Sequence, residues 1–129
     1  MAKDALMTTE PMILYIEDEQ PLLELARHAF KVSGYRLSVA TSGRQGLSII
    51  REQKPDVILL DLMMPDFNGW DIYREIKSDS QLADIPVIVI TANSRETSRI
   101  IIDGLPPADD YITKPFDIER LIRSVENYI

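Results

Sequence analysis

The 129-residue sequence contains no cysteine and a single histidine, and it is short of positive charge: 14 basic side chains stand against 21 acidic ones, a formal net charge of −7. Without cysteine there are no disulfides, no thiolate catalysis and no zinc–cysteine site. The acidic balance weighs against nucleic acid as a direct partner, because phosphate backbones are bound by basic surfaces. No apolar run approaches the ~18 residues needed to span a bilayer. The opening MAKDALMTTE lacks the apolar core of a signal peptide. A cytoplasmic protein without membrane contact is therefore expected. Internal repeats and low-complexity tracts are absent as well. The short glycine-bearing stretch SGRQG (42–46) fits neither the Walker nor the dinucleotide pattern, which disfavours a nucleotide enzyme. His28, the lone histidine, lies on an amphipathic stretch with no bundle pattern around it, and reads as a surface or boundary residue rather than a phosphate carrier.

What is present is an ordinary globular composition, 45% apolar and 27% charged, over a length that suits one domain with a proper core. Residues 1–10 read as a flexible tail and 11–129 as the domain. Five short apolar runs recur: MILYI (12–16), RLSVA (36–40), DVILL (56–60), VIVI (87–90) and YIT (111–113). The third and fourth are continuous rather than alternating, as in strands covered on both faces. Helical spacing fills the gaps. Pro21 suits a first helical turn, Leu22, Leu23, Ala26, Ala29 and Phe30 mark one face, and Gly34 is a natural stop. Gly46, Leu47, Ile49 and Ile50 mark a second helix, ended before Pro55. Trp70, Ile72, Tyr73 and Ile76 mark a third. A weaker fourth spans about 94–103. The fifth has Asp117 as N-cap, followed by Ile118, Leu121, Ile122, Val125 and Ile129. Strand then helix, five times, implies an α/β fold with a parallel sheet between helical layers.

In such sheets ligands bind beyond the C-terminal ends of the strands. Those ends carry Glu17-Asp18, Asp61, Thr91 and Lys114-Pro115, while the second strand ends in the uncharged Ala40-Thr41. Singly, each has a plain structural account: an acid favouring a helix start, a turn residue, a β-branched strand residue, a solvated lysine. Together they place three acids, a hydroxyl and an ammonium on one rim. Crowded carboxylates repel unless a cation joins them, and oxygen ligands without histidine or sulfur suit a hard ion such as Mg²⁺. A lysine opposite them suits a phosphate. That set describes phosphoryl transfer onto a carboxylate.

At this point the sequence resembles the receiver domains of bacterial two-component response regulators, through YIEDE (15–19), LLDLMMPDFNG (59–69), VIVITA (87–92) and ADDYITKPF (108–116). The resemblance implies a flavodoxin-like fold with five helices and strand order 2-1-3-4-5. It implies Asp61 as phosphate acceptor, with phosphoryl groups coming from a histidine kinase or histidine phosphotransfer protein. Mg²⁺ would be held by Asp61, by Asp18 directly, by Glu17 through water and by the backbone carbonyl of Met63. Thr91 would hydrogen-bond the phosphoryl group, Lys114 would pair with its charge, and Tyr111 would be an aromatic switch. Lys114-Pro115 would be cis. Pro65 would stiffen the loop after Asp61, and Gly69 would free the backbone before the third helix.

Such a protein is not a turnover enzyme on an external substrate, and Met63 stands where an aspartyl phosphatase would need a second acid. The alternative is a receiver fold that docks partners without being phosphorylated. One helix alone fits after Lys114, so output is expected by protein contact, through the face of the fourth helix, fifth strand and fifth helix. Ile100, Ile101 and Ile102 belong to that face, which would meet a downstream target or a second copy of the chain. Two departures stand out: Glu17 where many members have aspartate, and Pro106-Pro107 where a glycine-containing turn is usual.

Overall fold

The structure, a computed structural model, describes residues 10–64, 67–92 and 107–129. Its elements in chain order are β1 (Met12–Ile16), α1 (Gln20–Val32), β2 (Arg36–Ala40), α2 (Gly43–Gln53), β3 (Val57–Asp61), β4 (Met63–Met64), β5 (Phe67–Asn68), α3 (Gly69–Ser78), β6 (Val87–Thr91), β7 (Asp110–Thr113) and α4 (Ile118–Glu126). Five strands form one parallel sheet in the order β2-β1-β3-β6-β7. Numbered among themselves, these five follow the expected order 2-1-3-4-5. The two-residue strands β4 and β5 form a separate antiparallel ladder, Met63 opposite Asn68, which no alternation in the sequence announces. Four helices lie among the described residues. The expected fourth helix at 94–103, with Ile100, Ile101 and Ile102, falls outside them, as do Pro65 and all of the expected N-terminal tail except the exposed Glu10.

The continuous apolar runs are the central strands. Every residue of β1, β3 and β6 is buried, whereas edge strand β2 begins exposed. Period-two alternation sends Leu14, Ile16, Leu60 and Val89 to one face, against Leu47 and Ile50 of α2 and Ile72 and Ile76 of α3. It sends Ile13, Tyr15, Leu59 and Ile90 to the other, against Leu23 and Phe30 of α1 and Leu121 and Val125 of α4.

Local signals explain most boundaries. Pro21 sits in the first turn of α1, and Gly34, at φ 87°, takes the left-handed position just past its end. Helix α2 starts at Gly43, earlier than its apolar face suggests, because the Ser42 side chain accepts the Gln45 N–H. Asn68 does the same for Trp70 at the start of α3. Asp117 holds the N-cap position of α4 but makes no side-chain cap bond, contrary to expectation. The expected role of Gly69 is also corrected: its φ is not positive. It is needed for space, since a Cβ there would lie 2.6 Å from Leu62 Cα and 2.9 Å from the Asp61 carbonyl oxygen.

Candidate functional site

The rim is assembled by strand register. Asp61 pairs with Ile90, and Thr91 pairs with Thr113. The Leu62 N–H donates to Ile90 O, and the Lys114 N–H donates to Thr91 O at 2.8 Å. The Glu17 N–H ties the end of β1 to Ala40 O of β2. The same alternation that buries Tyr15, Leu59 and Ile112 carries Glu17, Asp61 and Lys114 to that side of the sheet, two residues further on. Thr91 and Tyr111 fall on the α2–α3 side, with Val89.

Asp61 is 2% exposed. Its Oδ1 accepts the Met63 N–H at 3.0 Å, and its Oδ2 accepts Lys114 Nζ at 3.1 Å. Glu17 is fully buried. Its Oε2 accepts the N–H groups of Asp18 and Glu19, while its Oε1 lies 2.8 Å from Lys114 Nζ and accepts the Tyr15 hydroxyl at 3.4 Å. Lys114 Nζ also approaches Glu19 Oε1 at 3.4 Å. One carboxylate oxygen from each of Glu17, Asp18 and Asp61 falls within 4.8 Å of the others. Burial pushes the Glu17 carboxyl up to about 7, against the opposing pull of Lys114 and helped by the charge on Asp61. Burial alone would lower Lys114, but the Glu17 hydrogen bond and the Asp61 charge outweigh it and hold the ammonium well above the usual lysine range.

The expected residues Glu17, Asp18, Asp61 and Lys114 thus converge through contacts. Register puts Thr91, fully buried, at the adjacent strand end. Met63 meets Asp61 through its N–H, and its side chain is 64% exposed. Tyr111 is half-buried, and its hydroxyl accepts the Ala108 N–H at 3.1 Å. Lys114-Pro115 is cis as expected. His28 is exposed. Sequence reasoning missed Glu19 and Tyr15. Glu19 reads as one more acid at a helix start. Tyr15 did carry a signal: a polar tip in an otherwise aliphatic run, spaced to share a face with Glu17.

Residues 13–126 match the family model of the response regulator receiver domain. The chain belongs to that family. This receiver is 40% identical over 111 residues to the phosphate regulon transcriptional regulatory protein PhoB of Pseudomonas aeruginosa, covering 85% of this chain and 48% of that protein. It is 36% identical over 117 residues to the response regulator SaeR of Staphylococcus aureus, covering 91% and 50%. The chain therefore spans about half the length of the curated relatives it matches. Among solved structures it superposes on the receiver domain of the sensor histidine kinase PA1611 from Pseudomonas aeruginosa PAO1, with a TM-score of 0.80 and 26% identity, over 93% of this chain and 98% of that one. That structure holds a magnesium ion in its active site cleft. The receiver serves two-component signalling as a phosphoryl-accepting domain rather than a turnover enzyme. Docking without phosphorylation is not favoured. The expectation about nucleic acid rests on the charge of this segment alone, and one relative is a transcriptional regulator about twice as long. Among the described residues no helix is long and apolar enough to cross a membrane.

Proposed function

We propose that Asp61 is the phosphate acceptor of this receiver and that the domain catalyses its own phosphorylation and dephosphorylation. The observation that carries this reading is the juxtaposition at Asp61: Lys114 Nζ on Oδ2, with the carboxylates of Glu17 and Asp18 alongside. A carboxylate oxygen of Asp61 attacks the phosphorus of a phosphohistidine on a histidine kinase or histidine phosphotransfer protein. The new P–O bond makes an acyl phosphate, the P–N bond breaks, and the histidine leaves as neutral imidazole after taking a proton. Lys114 pairs with the phosphoryl charge and the Thr91 hydroxyl donates to a phosphoryl oxygen. Tyr111, on the same sheet face as Thr91, turns with it and alters the output face of β7 and α4. That face meets a downstream protein or a second copy of the chain.

The donor set fits Mg²⁺: oxygens only, three carboxylates, close together. Asp18, Asp61 and the Met63 carbonyl would hold it directly. Glu17, whose oxygens already accept four donors, would hold it through water. When bound, Mg²⁺ neutralises the crowded carboxylates and the charge on transferring phosphoryl oxygens. The exposed, apolar Met63 side chain flanks the path of attacking water and cannot orient it by hydrogen bonding.

The test is phosphate uptake from a small acyl phosphate. The wild-type chain should gain one phosphoryl group in Mg²⁺, while Asp61→Asn and chelated wild type should stay at background. Uptake by Asp61→Asn at the wild-type rate contradicts the assignment. Mg²⁺ should also stabilise the wild type, by about 2.7 kcal/mol at a hundredfold excess over its Kd. A melting temperature indifferent to millimolar Mg²⁺ contradicts the metal site.

A further inference from the structure

Tyr15 has no part in the roles assigned above. Its side chain is fully buried in β1, packed with the apolar cluster against α1 and α4, yet its hydroxyl reaches the rim and donates to Glu17 Oε1. Phenylalanine would fill the same space without a hydroxyl that needs a partner, so packing gives no reason for the oxygen. At 3.4 Å this contact is long for an O–H···O bond, whereas Lys114 Nζ holds the same oxygen at 2.8 Å. Lys114 is therefore the dominant donor to Oε1 while Asp61 is unmodified. It is also divided among three carboxylates, with Asp61 Oδ2 at 3.1 Å and Glu19 Oε1 at 3.4 Å.

An anion built on Asp61 changes that division. It adds charge next to Lys114 and draws the ammonium toward itself. Glu17 then loses its shortest contact on Oε1 while fully buried, and a buried oxygen left short of donors is costly even where a metal-held water serves the same carboxylate. The two N–H groups on Oε2 stay in place, and the Tyr15 hydroxyl is the donor within reach of Oε1. We infer that Tyr15 is a positioning residue: a reserve donor that closes on Glu17 Oε1 when Lys114 turns to the phosphoryl group, and so eases the release of the lysine. This rests on the reading of Asp61 as acceptor and Lys114 as its counter-charge.

The test compares wild type, Tyr15→Phe, Glu17→Gln and the double variant as full chains. Without Mg²⁺ or phosphodonor, Tyr15→Phe should melt with the wild type, because Lys114 still serves Oε1. Its phosphoryl uptake from an acyl phosphate should slow about fivefold, the worth of one modest hydrogen bond. In the Glu17→Gln background the same change should add nothing. Independently of activity, the Cζ resonance of ¹³C-labelled Tyr15, identified by its loss in Tyr15→Phe, should move on phosphorylation of the wild type. Uptake by Tyr15→Phe equal to wild type, an equal slowing in the Glu17→Gln background, a melting temperature that falls in step with the rate, or a Tyr15 resonance that stays put would each overturn the inference. A wild type that takes up no phosphate overturns the acceptor reading itself, and this inference with it.

Discussion

Lys114 holds the rim together, with Glu17 and Asp61 both buried around its ammonium. Removing one partner of a buried ion pair leaves an uncompensated charge. Lys114→Met should therefore lower the stability of the metal-free protein by about 3 kcal/mol or more in urea unfolding. Mg²⁺ should return part of that by supplying a cation to the same carboxylates. A loss below about 1 kcal/mol, the range of exposed ion pairs, would show that solvent screens the cluster. Asp110 offers a second test at this scale, away from the acidic cluster. Its Oδ2 accepts Ser124 Oγ and Arg120 Nη1, and its Oδ1 accepts the Tyr111 N–H. Burial pushes its carboxyl up, but these donors outweigh it and the net shift is downward. Tyr128, whose hydroxyl is raised first by burial and then by the charges of Asp110 and Asp109, is a further titratable neighbour. A depressed folded pKa gives stability that is present above the ordinary aspartate value and lost as pH falls through the folded one. Asp110→Asn should then be less stable than wild type at neutral pH by about 1–2 kcal/mol. The gap should close as pH drops below about 4. A gap independent of pH would mean that shape rather than charge matters at Asp110.

At the scale of elements, the start of α3 presses on the end of β3, and two glycines mark such close contacts. A Cβ at Gly69 would meet backbone of Leu62 and Asp61, which cannot move without moving the end of β3. A Cβ at Gly46 would meet Ile16 Cδ1 at 2.5 Å and Cγ1 at 2.9 Å, side-chain rather than backbone atoms of a buried residue. Gly69→Ala should therefore cost about 1–3 kcal/mol by overpacking and should slow phosphoryl uptake. Gly46→Ala should cost less, because a side chain rather than backbone has to shift and alanine regains about 1 kcal/mol of helix propensity. Equal costs at the two positions would contradict this account of the β3–α3 junction. The sheet and the four described helices were legible in the sequence because burial on both faces writes continuous apolar runs, and one-sided burial writes helical spacing. The candidate site was legible because strand ends converge, so Glu17, Asp18, Asp61 and Lys114 could be placed together from their positions at those ends. What was not legible depends on tertiary contact. The β4–β5 ladder is too short to show a period, the crowding at Gly69 involves a neighbouring backbone, and the link from Tyr15 to Glu17 runs along a strand that otherwise reads as core. The start of α2 was set back because its signal is the Ser42 cap rather than an apolar residue.

Over the whole molecule, the strand order puts β3 at the centre of the sheet, with β1 and β6 as its neighbours, and leaves the uncharged end of β2 at an edge. The acids thereby stand at the ends of β1 and β3 and the lysine just past edge strand β7, so that one end of the sheet holds the carboxylates and the ammonium against one another. On the proposed reading, a change of charge at Asp61 redistributes Lys114, Thr91 and the β7–α4 face. Everything in that account hangs on Asp61 becoming the acyl phosphate. The most direct measurement treats the chain with an acyl phosphate and Mg²⁺, then reduces it with borohydride, which converts an acyl phosphate to an alcohol and leaves free carboxylates alone. Peptide mass spectrometry should find homoserine in place of aspartate at position 61 and at no other acid, with the product absent when Mg²⁺ is chelated. Homoserine at Asp18 or another aspartate, the longer alcohol at a glutamate, or unreduced Asp61 in a chain that has gained phosphate, would contradict it.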